Sequence, residues 1–273
     1  RGFKPGGSNL TYGREDVIAP IVVLPTFDEE IVDAYEVGLK TDLADGRVRM
    51  NTAAFYYNYE GLQYQATDPE VFQGGVGNIP KSEIFGAELE LSAFLSESLI
   101  LDVRLAWLDT EITADHLALD NVQSEAAGGA LIGDGALLFS PEVQQARSSA
   151  VQNVNGNELA KTPKFTSNVA LNWNTDIASW GELNSSLQYT YRGGFKHRIF
   201  NNDATDVVPS YNVIDLVVGL RPEGKDWRVE LIGKNLSDEA GINARFTDVF
   251  GVGATGDELI GPRQFMARFS MDF

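Results

Sequence analysis

The feature that most limits what this chain can become is a two-residue rhythm of apolar and polar side chains, held over runs of up to 13 residues. A period of two puts alternate residues on opposite faces of an extended strand. In 31–43, "IVDAYEVGLKTDL", Tyr35, Val37, Leu39, Thr41 and Leu43 share one face, and Glu36, Gly38, Lys40 and Asp42 the other. In 47–59, Val48, Met50, Thr52, Ala54 and Tyr56 oppose Arg47, Arg49, Asn51 and Ala53. Ala87, Leu89, Leu91, Ala93 and Leu95 then oppose Glu88, Glu90 and Ser92, and Leu99, Leu101, Val103, Leu105 and Trp107 oppose Asp102, Arg104 and Ala106. The rhythm returns in 164–174, 183–192, 211–221 and 227–235. It ends in "QFMARFSMDF", where Phe265, Ala267, Phe269, Met271 and Phe273 make the apolar row. Nine strands are predicted, with the tail of another at residues 1–4.

Alternation alone also suits a soluble sandwich, half buried and half wet. Length argues otherwise, because soluble strands average about 5–6 residues and membrane strands need about 9–11. Aromatic residues gather near strand ends (Tyr56, Trp107, Trp173, Tyr189, Tyr191, Trp227, Phe273), where interfacial girdles sit. The connections decide. Short turns are predicted near 44–46, where Asp-Gly is a hairpin signal, and near 96–98, 176–182 and 222–226. Long loops are predicted near 5–30, 60–82, 110–162, 193–209 and 237–261. The two kinds alternate strictly, as in outer-membrane barrels with short periplasmic turns and longer external loops. The expected fold is all-β, an antiparallel transmembrane β-barrel.

Composition narrows the function. The chain has 273 residues, no cysteine and a net charge of −18. No disulfide framework or thiolate metal site is available, and no nucleic-acid partner is expected, since a phosphate backbone calls for a basic face. No apolar run is long enough for a transmembrane helix. Nine strands and a remnant are an odd inventory, whereas single-chain barrels carry an even number. Residues 1–273 are therefore expected to be a partial barrel of about ten strands, one unit without an internal domain boundary, whose chain continues N-terminally. The acidic loop 110–162 contains one helix signal, "SPEVQQARSSAV", with Ser140 as N-cap, Pro141 at the first helical position and Glu142 at the positive end of the dipole. "AAGGALIGDGALLF" before it is expected to tuck against neighbouring loops.

Candidate binding residues are few. The densest basic cluster is Lys196, His197 and Arg198 after Arg192, in a predicted external loop. Guanidinium groups there could meet an anionic ligand, or balance Asp203 and Asp206, or contact lipopolysaccharide. His116 lies beside Asp115 and Asp120 in an acidic loop, where a solvated histidine is the simpler reading. The loop carboxylates lack a full Ca²⁺-binding pattern, and neither "AAGGA" nor "GGVGN" is a phosphate cradle. No cofactor, resident metal or catalytic group is expected. Glu36, Lys40, Arg49, Glu88, Glu90, Arg104 and Arg192 are expected to pair across strands or hydrate a channel wall.

"EEIVDAYEVGLKTDLADGRVRMNTAAFYYNYEGLQ" resembles the barrel of TonB-dependent outer-membrane receptors. "RGFKPGGSN" resembles the strand end before it, "WRVELIGKNLSDE" the penultimate strand with its exit, and "GPRQFMARFSMDF" the closing strand. Ser237 departs from the aromatic or Thr of many relatives. The resemblance implies a 22-stranded barrel around a plug, the plug lying outside this chain. It further implies energised uptake of a scarce bulky nutrient, most often a ferric siderophore, with cobalamin, haem and oligosaccharides as rivals. It implies as partners a TonB-type energy-coupling complex, outer-membrane lipid and lipopolysaccharide, and a barrel-assembly machinery that meets Phe265, Phe269, Met271 and Phe273. A diffusion porin, a ten-stranded outer-membrane protease and a soluble binding sandwich are the alternatives.

Overall fold

An extended strand leaves backbone donors and acceptors on both edges, and here each strand satisfies them with its neighbours in the chain. The computed structural model describes residues 1–9, 26–68, 73–247 and 254–271. The strands of its large sheet are β1 (Gly2–Lys4), β2 (Glu30–Leu43), β3 (Val48–Asp68), β4 (Gln73–Phe94), β5 (Leu99–Ile112), β6 (Phe165–Ile177), β7 (Gly181–Arg192), β8 (Tyr211–Arg221), β9 (Trp227–Lys234) and β10 (Gln264–Met271). They form one antiparallel sheet in strict chain order. All nine predicted strands and the strand tail at residues 1–4 are present. No ladder among the described residues joins β1 to β10.

Register carries each apolar row onto the next strand. Leu101 faces Leu171, which faces Leu187, which faces Leu216. Val218 continues to Leu231, and Leu231 to Ala267. No described residue forms a layer over this face: Val37 is 72% exposed, Leu39 53%, Leu231 59% and Phe265 74%. A continuous apolar face of this extent is not left bare to water. It is the face of a barrel wall that meets hydrocarbon.

Aromatic belts bound that face. Tyr35 stacks on Tyr56 (centroids 6.4 Å apart), Phe85 meets Trp107 edge-on (5.7 Å) and Phe165 lies by Tyr191 (6.1 Å). Phe85 is opposite Tyr56, and Phe165 opposite Trp107, so one belt crosses β2 to β7. Near the other rim Trp173 and Trp180 are exposed and Trp227 stacks on Phe269 at 6.0 Å. Phe165 and Trp173 are eight residues apart on β6, about 26 Å of strand, close to the height of an apolar barrel band. Phe269 and Met271 face outward with Phe265; Phe273 lies outside the described residues.

The opposite face is polar and knitted across strands. Arg49 Nε donates to Asp42 at 2.9 Å, Asn51 to Glu90 at 3.4 Å and Asn172 to Asp102 at 2.8 Å. Lys234 meets Asp215 at 2.7 Å and Arg268 meets Glu230 at 3.2 Å. Exposed pairs of this kind stabilise by only about 0–1 kcal/mol each; they keep the wall wet and in register. The turns at this sheet's lower rim are tight, as expected. Ala44, Asp45 and Gly46 all take positive φ (53°, 55° and 83°), and a 3₁₀ turn over Ala178–Trp180 links β6 to β7.

One predicted loop is not a loop. Residues 60–82 were expected to be irregular, yet β3 and β4 run on as a paired hairpin to Asp68 and Gln73. The alternation changes phase there. Ile79 and Ile84, five positions apart on β4, pack in the same cluster with Ile112, which strict alternation forbids. The break falls at Gly61, opposite Pro80. Gly61 has φ +66°, and a Cβ on it would lie 2.6 Å from the Glu29 carbonyl oxygen. Only glycine suits such a position. A phase slip at a Gly and a Pro has the sequence appearance of a loop, although the ladder survives it.

Candidate functional site

The end of the sheet opposite the short turns carries most of the chemistry. Beyond Tyr56 the β3–β4 hairpin extends far past the aromatic belt, and its Leu62, Tyr64 and Ile79 pack against Ile112, Ala118, Val154 and Leu159. Residues 113–164 thus dock onto the hairpin through an apolar core. A small ladder, Leu117–Leu119 against Val151–Asn153, frames two helices. These are α1 (Asn121–Gly133) and α2 (Pro141–Ser148).

Helix α2 forms as expected, with Ser140 at the N-cap, Pro141 at its start and Glu142 in the first turn. Helix α1 was not expected, because its stretch "AAGG" reads as loop. Its signal was Asp120 followed three residues later by Gln123, a capping-box spacing. Asp120 accepts from the Val122 amide at 3.0 Å. Gly128 serves packing: a Cβ on it would lie 2.5 Å from Arg147 Nε, and Arg147 reaches Glu125 at 3.0 Å between the helices. Of "AAGGALIGDGALLF", expected to tuck against neighbouring loops, Gly128 packs on Arg147 of α2, whereas Leu137 and Phe139 are exposed. They sit past the last helical turn, and no described element covers them.

The basic cluster proves to be the fastening between loops. Arg198 donates from Nε to Asp206 Oδ1 at 2.8 Å, and from Nη1 to Asp120 Oδ1 at 2.6 Å and Asn121 Oδ1 at 3.1 Å. Its side chain is 11% exposed, and both carboxylates are fully buried. One guanidinium therefore ties the N-cap of α1 to the 193–210 loop. His197 Nδ1 lies 3.2 Å from the Asp206 carbonyl, and Nε2 lies 2.8 Å from the Thr247 hydroxyl. A carbonyl only accepts, so Nδ1 carries the proton and Nε2 accepts from Thr247. Burial pushes His197 below the usual histidine range, outweighing the pull of Asp206.

A third loop joins through Arg245, whose fork reaches Asp257 at 2.6 and 2.8 Å and whose Nη1 reaches the Val207 carbonyl at 2.8 Å. That bond holds Asp257 below the usual carboxylate range. Arg192 donates to the carbonyls of Ile242 and Asn243, and lies over the rings of Tyr211 and Phe195 at 4.6 and 4.9 Å. Lys196 pairs with Asp203. The structure thus brings Lys196, His197 and Arg198 into one junction of loops, with Arg192 at its edge on β7. Asp120, Asp206, Arg245 and Thr247 complete that junction: the expected charge balance of the cluster against Asp203 and Asp206 is present, whereas Arg245, Thr247 and the reach of Arg198 to Asp120 come from topology alone and were not read from the sequence.

His116 is not part of that junction. Its Nε2 is 3.0 Å from the Tyr64 hydroxyl, the two rings edge-on at 5.5 Å. Burial pushes His116 down and Tyr64 up to about 12, so both are uncharged at neutral pH. Both line a cavity of about 780 Å³ between the hairpin extension, the 113–164 insertion and residues 26–31. Ile31, Val76, Leu119 and Val151 give it an apolar wall, and Asp28, Glu29 and Glu60 supply its charged lining. The rim is pinned by backbone bonds: Asn78 accepts from the Asp28 amide at 2.8 Å and donates to the Asp28 and Gly61 carbonyls at 3.0 and 2.7 Å.

Comparison with known proteins gives the same outline. A family described as TonB dependent receptor-like, beta-barrel, matches residues 1–236. The metal-pseudopaline receptor CntO of Pseudomonas aeruginosa is 30% identical over 116 residues, which is 42% of this chain and 14% of that protein. The ferric yersiniabactin uptake receptor FyuA of Yersinia pestis has a similar fold, with a TM-score of 0.68 at 18% identity over 100% of this chain and 34% of that one. The siderophore receptor PiuA of Acinetobacter baumannii follows with 0.61 at 17% identity, over 90% of this chain and 29% of that one. The chain thus spans a minor part of each relative's length.

Proposed function

The chain belongs to the TonB-dependent receptor-like β-barrel family, and from that premise we propose that residues 1–273 are the C-terminal portion of the barrel of an outer-membrane receptor for energised uptake of a metal chelate, foremost a ferric siderophore. The carrying observation is the two-faced wall. Its outer rows are bare and belted by aromatics, its inner rows are wet, and its long-loop end bears a preformed cavity under docked loops. That arrangement suits capture at the outer rim and passage along a polar lumen, and it supplies binding and gating rather than covalent catalysis. The family is one of receptors.

In this reading the energy-coupling complex acts through parts of the receptor outside this chain. The outer rows meet lipid and lipopolysaccharide. Phe265, Phe269, Met271 and Phe273 present the closing strand to the assembly machinery. Lys196, His197, Arg198 and Arg192 hold the loops in the shape that receives the ligand, and His116 lines the receiving cavity.

The test is growth of a deletion strain on ferric chelates under iron limitation, with the full-length receptor restored on a plasmid. Restored growth that requires the energy-coupling complex supports the proposal. Growth restored equally without that complex points to passive diffusion and overturns it.

A further inference from the structure

We propose, resting on the receptor reading above, that the cavity at Tyr64 and His116 selects chelates that carry a free cationic group on an apolar body. Among the described residues its charged lining is acidic: Asp28, Glu29 and Glu60. The one basic residue among the described lining residues, His116, is pushed toward the neutral form by burial. A neutral imidazole and a neutral phenol offer hydrogen bonds and ring edges, which suit a flat or aromatic chelate body. The carboxylates then set the sign of what can approach.

The cations of the neighbouring loop junction, which could have served an anionic chelate, are committed to other partners. Arg198 is shared between Asp120 and Asp206, Arg245 is paired to Asp257, and Lys196 to Asp203. Arg192 is spent on two loop carbonyls. Lys81 stands opposite Glu60 in the ladder, makes no ion pair with it among the described residues, and does not line the cavity. The acidic rim is also held in place. Gln63 donates to the Asp28 carbonyl at 3.1 Å and to the Pro5 carbonyl at 3.0 Å, and Asn78 fixes both sides of the same segment. Glu29 and Glu60 therefore present their charge from a fixed backbone, at little ordering cost on binding.

The test uses the full-length receptor in an iron-limited strain stripped of other iron receptors, with radiolabelled iron as readout. The probes are a linear trihydroxamate bearing one free ammonium group, the same chelator acetylated at that nitrogen, and ferric citrate as an anionic complex. The ammonium form is expected to half-saturate uptake at a concentration roughly three- to tenfold below the acetylated form, the size of one or two exposed ion pairs, with ferric citrate weakest. The double variant Glu29→Gln, Glu60→Gln is expected to erase the difference between the two hydroxamates, whereas Glu97→Gln at the opposite rim keeps it. Equal handling of the two hydroxamates, or preference for ferric citrate, overturns the inference and leaves the receptor reading standing. Energised uptake of none of the three overturns both.

Discussion

Replacing Arg198 by methionine isolates what one guanidinium does for the outer loops. The side chain is 11% exposed and serves two carboxylates that are fully buried. Removing one partner of a buried ion pair costs about 3–5 kcal/mol, because the remaining charge stays buried without its counter-charge. Some compensation remains here. Asp120 keeps the Val122 amide and Gln152 (3.2 Å), and Asp206 keeps the Asn202 amide at 3.0 Å. The expected loss therefore lies near the lower bound, about 3 kcal/mol, or roughly a 150-fold shift in a local opening equilibrium at about 1.4 kcal/mol per decade. Hydrogen exchange of the full-length receptor reads that shift directly, since loops open locally without unfolding the barrel. Amides in 117–124, 150–154 and 195–208 are expected to exchange faster by that factor, and those of β5 to β9 to keep their rates. Adding Asp120→Asn and Asp206→Asn is expected to return most of the protection, because neutral amides can remain buried with hydrogen bonds alone. Unchanged loop exchange in the Arg198→Met variant would refute the claim that this residue fastens the loops.

Three further outcomes follow from the same geometry. Gly61→Ala puts a Cβ 2.6 Å from the Glu29 carbonyl at φ +66°; left-handed backbone alone costs about 1–2 kcal/mol, so limited proteolysis is expected to cut 60–80 faster, and an unchanged cleavage pattern would show that the phase slip needs no glycine. Leu39→Lys places a charge mid-band on the outer face and is expected to cost about 2–4 kcal/mol in refolding into lipid, whereas Lys40→Gln on the inner face is expected to cost a few tenths; equal effects would contradict the assignment of faces. His197, its pKa pushed below 6.5 by burial, binds its proton more weakly folded than unfolded, so its neutral packing contributes fully above about 6.5 and is lost as pH falls from there toward the folded pKa. Protection of amides in 195–208, taken relative to the intrinsic exchange rate at each pH, is expected to fall between pH 7.5 and 5, and His197→Gln is expected to flatten that profile.

The barrel wall was legible because its cause is local. Alternation in Tyr35–Leu43 or Leu99–Trp107 follows from which face meets hydrocarbon, and tight turns such as Ala44-Asp45-Gly46 announce themselves by residue type. The rim was less legible for two different reasons. At 60–82 the pattern is intact on either side of Gly61 but out of phase, so a continuous hairpin looks irregular. In α1 Gly128 of "AAGG" allows close packing on Arg147, a tertiary cause that outweighs the weak helix propensity of glycine. The junction of Arg198 with Asp120, 78 positions away in the chain, has no sequence signature at all. Complementary charge across loops becomes visible only once the ladder order places those loops side by side.

The molecule's charge is divided between two electrical environments, and the division bears on how it works. The surplus acid sits on exposed groups such as Glu29, Glu60 and the lumen rows, where salt screens interactions beyond about 8–10 Å. The loop junction pairs Asp120 and Asp206 with Arg198 out of contact with water, where screening has little reach. Ionic strength thus separates the two roles. Raising it is expected to weaken the approach of a cation-bearing ligand to the rim while leaving the docked loops closed over the hairpin. On the proposed reading, shape is fixed by buried pairs and selectivity rests on exposed ones, so substituting single surface carboxylates is expected to change attraction for the ligand without loosening the loops that frame the cavity.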